Sequence, residues 1–133
     1  MILLDTHVAV WMATNNEALG PTSRALLEGA SDKVELAVSA ISFWEISLLA
    51  ARGRFVSSKS TSELRADLLM TRMVELPLTG SIAIAAVELE HLHGDPADRF
   101  IIATAIAHNA TLMTADRALL RWRHALKRED ASK

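Results

Sequence analysis

Five carboxylates stand where they could act on one substrate. Asp5 closes the apolar run Met1-Ile2-Leu3-Leu4, and Glu45 sits among Phe43, Trp44, Ile46, Leu48 and Leu49. Asp95 and Asp98 bracket Pro96-Ala97, and Asp116 follows Leu112-Met113-Thr114-Ala115. Each has a purely structural use. Asp5, Asp95 and Asp116 suit helix N-caps, and Asp98 suits a first helical turn, where negative charge opposes the helix dipole. Glu45 is different, because an ionised carboxylate buried among apolar neighbours is costly unless something pairs it. Two carboxylates about 5 Å apart repel by roughly 3 kcal/mol at an effective dielectric of about 20. Helix N-termini offset only part of that repulsion. A hard divalent cation offsets the rest, and an oxygen-only donor set with no cysteine favours Mg²⁺ or Mn²⁺ over zinc. Such a site suits in-line hydrolysis of phosphodiesters, because the cation binds phosphate oxygens and makes a water acidic.

The elements that would have to position these acids alternate between strand and helix. Apolar or β-branched runs predict strands at Met1–Leu4, Val34–Val38, Val74–Leu76 and Thr111–Met113. A short helix follows Asp5, and Asn15-Asn16 and Gly20-Pro21 break the chain before a helix capped by Thr22 or Ser23. Gly29 to Lys33 reads as a turn. Further helices are expected over Ile41–Arg52, Thr61–Met73, Ser81–His91, Pro96–His108 and Asp116 to about Leu126, with residues from about 127 to 133 as a frayed tail. Strand-helix alternation without a hairpin signal predicts a three-layer α/β/α fold. Its mostly parallel central sheet would have four or five strands. Asp5 and Asp116 then follow strands, Asp95 and Asp98 open a helix between strands, and Glu45 lies a turn beyond the second strand. All of these points fall along one edge of a parallel sheet, where open α/β sheets bind ligands.

Composition narrows the function classes. At 133 residues, half of them apolar, the chain is expected to form one domain with its own core. With no cysteine it has no disulfide framework and no thiolate zinc site. His91 and His93 have a metal-like spacing, but they fall where a helix end runs into a turn. No apolar stretch is long enough to span a bilayer, no signal peptide is visible, and a cytoplasmic protein is expected. There is no G-x-G-x-x-G and no P-loop. The net charge of −2 excludes a generally basic nucleic-acid binder, but the charge is uneven. Beyond Asp116 stand Arg117, Arg121, Arg123, Lys127, Arg128 and Lys133, opposed only by Glu129 and Asp130, which permits a polyanion on one side.

The chain resembles a known family at Ile2-Leu3-Leu4-Asp5-Thr6-His7, at Ser39 to Glu45 (SAISFWE) and at Gly53-Arg54-Phe55. The likeness continues through Asp95-Pro96-Ala97-Asp98-Arg99 and Leu112 to Asp116 (LMTAD). These look like PIN-domain ribonucleases, and most like the VapC toxins of toxin–antitoxin pairs. The resemblance covers nearly the whole chain. It implies a Mg²⁺- or Mn²⁺-dependent endoribonuclease leaving 5′-phosphate and 3′-hydroxyl ends, with RNA as substrate. It also implies a VapB-like antitoxin as partner, and a homodimer. By position, Asp5, Glu45, Asp98 and Asp116 would be the catalytic, metal-binding acids, with Asp95 an auxiliary acid and Thr6 and Thr114 polar neighbours. Arg54, Arg99 and Arg117 are the candidates for substrate phosphates. The family often adds a last strand, for which Arg121 to Lys133 shows no apolar run. Two alternatives are a receiver-like Mg²⁺-binding phospho-acceptor domain and a non-catalytic RNA-binding relative. The receiver reading lacks an acid pair at the first strand and a lysine after a late one. The non-catalytic reading leaves the full acid set unexplained.

Overall fold

The computed structural model describes residues 1–30, 35–92 and 94–133. Most of the expected turn at Gly29 to Lys33, the head of the second strand at Val34, and His93 lie outside the described residues; Gly29 and Ala30 are helical.

Short apolar runs form the sheet. β1 (Ile2–Leu4), β2 (Leu36–Ser39), β3 (Val74–Leu76), β4 (Thr111–Thr114) and β5 (Arg128–Asp130) pair in parallel in the order β3-β2-β1-β4-β5. Period-two alternation gives the sheet two buried faces. Ile2, Leu4, Leu36, Val38 and Met113 join a core with α1 (Thr6–Ala13), α2 (Pro21–Ala30), α3 (Ala40–Ala51) and α4 (Thr61–Met70). Leu3, Ala37 and Leu112 face α6 (Pro96–Ala107) and α7 (Arg117–Arg121). Outside α6 lies α5 (Gly80–Glu88), packed through Ile82, Ala86 and Ala103. The three layers are those expected. Among the described residues no helix is long and apolar enough to cross a membrane.

Three local expectations change. The final residues are not frayed: Arg128–Asp130 is a fifth strand, in register with Leu112–Thr114. Its ladder is made by backbone, as in Leu112 N–H to the Lys127 carbonyl (2.9 Å) and Ala131 N–H to the Thr114 carbonyl (2.9 Å), so it needs no apolar run. Helix α7 ends at Arg121, not near Leu126. The Trp122 indole, 7% exposed, is drawn into the core and donates to the Glu90 carbonyl (2.9 Å), which takes its backbone to an extended φ −58, ψ 129. Helix α2 starts at Pro21 without a Thr22 or Ser23 cap, because the Thr22 and Ser23 amides donate to the Lys133 carbonyl (2.8 and 3.1 Å). Pro21 suits the first helical position, having no N–H to satisfy.

Candidate active site

The chain runs outward from β1 through β2 to β3, then returns to place β4 on β1's other side, so the strand order switches between β1 and β4. Ligands of open α/β sheets bind outside the carboxyl ends of strands at such a point. Asp5 stands there. Its amide donates to the Met113 carbonyl (3.0 Å), which continues the β1–β4 ladder one step beyond the paired residues. Its side chain caps α1: Oδ1 accepts from the Thr6 amide (2.7 Å) and Oδ2 from the Thr114 hydroxyl (2.7 Å). The Thr114 hydroxyl in turn accepts from the Asp116 amide (3.1 Å). Asp116 caps α7, with Oδ1 accepting from the Ala118 amide (2.8 Å) and the Leu119 amide (3.3 Å). Thr114 thus fixes both acids, and Thr6 holds Asp5 by its amide. The Thr6 hydroxyl lies 2.9 Å from that of Ser42, tying α1 to α3.

The other acids arrive on α3 and α6. Ser39 caps α3 through the Ile41 amide (3.2 Å). That fixes the helix start and brings Glu45, half-buried, over the carboxyl edge. Asp95 caps α6 through the Ala97 amide (3.0 Å), and Pro96 occupies its first position. Asp98 is half-buried in the first turn. Asp5, Glu45, Asp95, Asp98 and Asp116 line one cleft of about 320 Å³, together with His7, Trp11 and Ala115.

The electrostatics match the crowding. Burial is the main force pushing the Asp98 carboxyl up to about 8, reinforced by repulsion from Asp5, Asp95, Glu45 and Asp116. Burial also raises Glu45, helped by Asp5 and Asp95 and opposed by the nearby Thr6 hydroxyl. Asp5 is raised by burial against the opposing hydrogen bonds from Thr114 and Thr6. The residues fit a hard divalent cation. One carboxylate oxygen each from Glu45, Asp95 and Asp98 lie within 4.8 Å of one another. An octahedral Mg²⁺ at about 2.1 Å from its ligands accepts oxygens up to about 4.2 Å apart, so small side-chain adjustments suffice.

Where the acids were ranked by sequence, the geometry reorders them. Asp95, expected as an auxiliary acid, is grouped with Glu45 and Asp98, and Asp5 and Asp116 line the same cleft. His7 and Trp11, which were not among the expected site residues, also line the cleft. Their spacing of four residues just after Asp5 was the available signal, since it stacks two side chains on one helix face.

Two of the three arginines proposed for substrate are engaged elsewhere. Arg99 donates to the carbonyls of Ala86 (3.1 Å), Leu89 (3.2 Å) and Leu92 (2.9 Å), binding the α5–α6 connection to α6. Arg117 forks onto Asp130 (2.9 and 3.3 Å) and Ser132 (2.8 Å), tying α7 to β5. Successive helix residues point about 100° apart, so an arginine following an acid does not share its direction. Arg54 alone keeps a place near the acids. It lines a groove of about 390 Å³ that shares His7 and Trp11 with the acidic cleft.

A strand-switch cleft ringed by carboxylates on a five-stranded parallel α/β/α sheet defines a class of protein, and comparison with known families agrees. The PIN domain model matches residues 2–124, and the chain belongs to the PIN-domain family. It is 39% identical over 127 residues to Ribonuclease VapC22 of Mycobacterium tuberculosis (strain ATCC 25618 / H37Rv), covering 92% of both chains. Among solved structures it superposes on VapBC2 from Rickettsia felis, bound to a DNA fragment from their promoter (TM-score 0.70, 22% identity, 98% of each chain). A toxin–antitoxin complex from Klebsiella pneumoniae shares the same fold (TM-score 0.63, 19% identity, 92% of this chain and 93% of that one). The receiver-like alternative falls with this membership.

Proposed function

We propose that the protein is a divalent-metal-dependent endoribonuclease, the cytoplasmic toxin of a toxin–antitoxin pair, with Asp5, Glu45, Asp95, Asp98 and Asp116 as its metal-binding acids. The observation that carries this reading is their convergence in one cleft, with Glu45, Asp95 and Asp98 oxygens within 4.8 Å. Glu45, Asp95 and Asp98 would hold a Mg²⁺ or Mn²⁺ ion, with Asp5 and Asp116 as further carboxylates of the same cleft. When bound, such an ion supplies a nucleophilic water at neutral pH and stabilises charge on the phosphate oxygens.

The chain's own residues set the conditions for that chemistry. Thr114 and the Thr6 amide hold Asp5 in one rotamer, and the α7 amides hold Asp116, so both carboxylates are oriented before substrate arrives. Asp98, pushed up to about 8, is a protonated acid near neutral pH until a cation displaces its proton. Kinship with a ribonuclease at 39% identity supports RNA as the substrate.

The partner is read from the neighbouring surface. Val10, Trp11, Ile46, Leu49, Phe55 and Val56 make the groove beside the acids largely apolar, which suits an apolar segment of a VapB-like antitoxin. Shared fold with a toxin–antitoxin complex supports that choice. We also infer a homodimer formed through α5.

Purified protein with a labelled single-stranded RNA and Mg²⁺ tests the activity. Cleavage leaving 5′-phosphate ends, abolished by EDTA and lost in Asp98→Asn and Glu45→Gln, is expected. Undiminished cleavage by both variants, each shown to be folded, would overturn the site.

A further inference from the structure

A second cleft, of about 530 Å³, opens between the α5–α6 connection and the end of α7, and two arginines and a histidine line it. His91 stands on one side and Arg121 and Arg123 on the other, over a floor that includes Ala118 and Trp122. Arg121 and Arg123 share a side for a backbone reason. Trp122 is extended and turned inward, and residues two apart in an extended segment point the same way. Both arginines are exposed. The floor is rigid, because Trp122 is held by the Glu90 carbonyl and stacks on His124 (centroids 4.4 Å apart, 6° between planes). With that ring face covered, the cleft offers charge and not a stacking platform for bases.

These are also the basic residues of the C-terminal stretch whose guanidiniums the fold leaves available. Arg117 is engaged by Asp130 and Ser132, and Arg128 donates to the carbonyls of Leu119, Trp122 and His124. No hydrogen bond or ion pair to another described residue holds Arg121 or Arg123. Both sides of the cleft are close in sequence to the acids: His91 stands four residues before Asp95, and Asp116 caps α7. Five residues of helix place Arg121 about 7.5 Å along the axis from Asp116.

We propose that this cleft is a backbone-phosphate subsite for single-stranded RNA, in which Arg121 and Arg123, with His91 opposite, hold the strand beside the acidic cleft. It supplies what the proposed activity requires, since a carboxylate cluster in a chain of net charge −2 repels a polyanion. The inference rests on the ribonuclease reading for its ligand. Contacts of this kind are sequence-independent and salt-dependent.

The test is anisotropy of a fluorescein-labelled single-stranded RNA in EDTA over a KCl series, followed by Mg²⁺-dependent cleavage kinetics. Arg121→Gln/Arg123→Gln is compared with wild type and with Arg72→Gln/Lys127→Gln. The latter pair removes the same charge just before β3 and β5, at the sheet edge opposite the acids. Losing two phosphate contacts lowers the log–log salt slope by about 1.4. With it, the affinity should fall about tenfold and KM should rise to match, while kcat stays unchanged and the control pair behaves as wild type. Equal slopes and KM for wild type and the Arg121/Arg123 variant overturn the subsite and leave the ribonuclease reading standing. An equal loss in the control pair also overturns it, as bulk charge. Wild-type protein that neither binds nor cleaves RNA overturns both.

Discussion

Asp98 is where a single proton couples to cation binding. Its carboxyl is pushed up to about 8, chiefly by burial and then by Asp5, Asp95, Glu45 and Asp116, so at pH 7 the cation-free protein holds a proton that a cation must displace. Affinity for Mg²⁺ or Mn²⁺ should therefore strengthen with pH, by up to about tenfold per unit, and level off above about 8. Calorimetry at pH 7 in two buffers of different ionisation enthalpy should show proton release, and Asp98→Asn should remove it. The same shift fixes a stability trend without metal. A carboxyl raised in the folded state stabilises fully below its ordinary range near 3.8 and loses that contribution as pH rises towards about 8. Melting temperature should thus fall across that window, less steeply in Asp98→Asn, and excess Mg²⁺ should restore it at the upper end. A flat profile in both proteins would remove Asp98 from this role. Thr114 offers a second check. Thr114→Val keeps the shape but removes the donor to buried Asp5 and the acceptor for the Asp116 amide. A loss of about 1.5–3 kcal/mol in chemical denaturation is expected, with weaker metal binding because two acids lose their common anchor.

At the scale of elements, chain reading found what depends on side-chain pattern and missed what depends on backbone. The strands at Ile2–Leu4, Val74–Leu76 and Thr111–Thr114 are apolar because the sheet buries them, and caps at Asp5, Ser39 and Asp95 mark the helix starts. Four of the acids could be ranked because strand ends and helix starts share an edge in any parallel sheet. Their closeness could not be ranked, since it depends on how α3 and α6 meet. Strand β5 had no such signature: Arg128, Glu129 and Asp130 are polar, and the strand is held by ladder bonds, Arg117 and the Ser23 hydroxyl on the Asp130 carbonyl (2.9 Å). One residue did carry the information. A Cβ at Gly20 would fall 2.2 Å from the Lys133 carbonyl carbon, so glycine is required where the returning chain crosses the start of α2. Gly20→Ala should cost about 1–3 kcal/mol, as overpacking against backbone does. Faster amide exchange should be confined to β5 and the first turn of α2. Unchanged exchange there would mean the chain end is not clamped at Gly20.

Across the whole molecule, helix α5 carries an apolar face that the core does not use. Helix α5 packs inward through Ile82 and Ala86, yet Ile84 (66% exposed) and Val87 (79% exposed) stand one turn apart on its outer side. Burying a Val or Ile side chain contributes about 1.5–3 kcal/mol, so leaving both in water forgoes a gain that pairing would recover. A second copy is the occupant that a helix face can match with itself, because a two-fold interface sets the same patch against its symmetry mate. Closing such an interface takes roughly 1,600 Å² in total, more than two side chains supply, so neighbouring surface must join. Both α5 residues are exposed, so Ile84→Glu/Val87→Glu should leave the fold and the acidic cleft intact and place charges in the centre of the interface. Light scattering coupled to size exclusion should give a dimer for wild type and a monomer for this variant, with melting temperature changed little at high dilution. Wild-type protein that stays monomeric at high micromolar concentration would assign the α5 face to another partner. A dimer that survives both glutamates would move the interface elsewhere on the molecule.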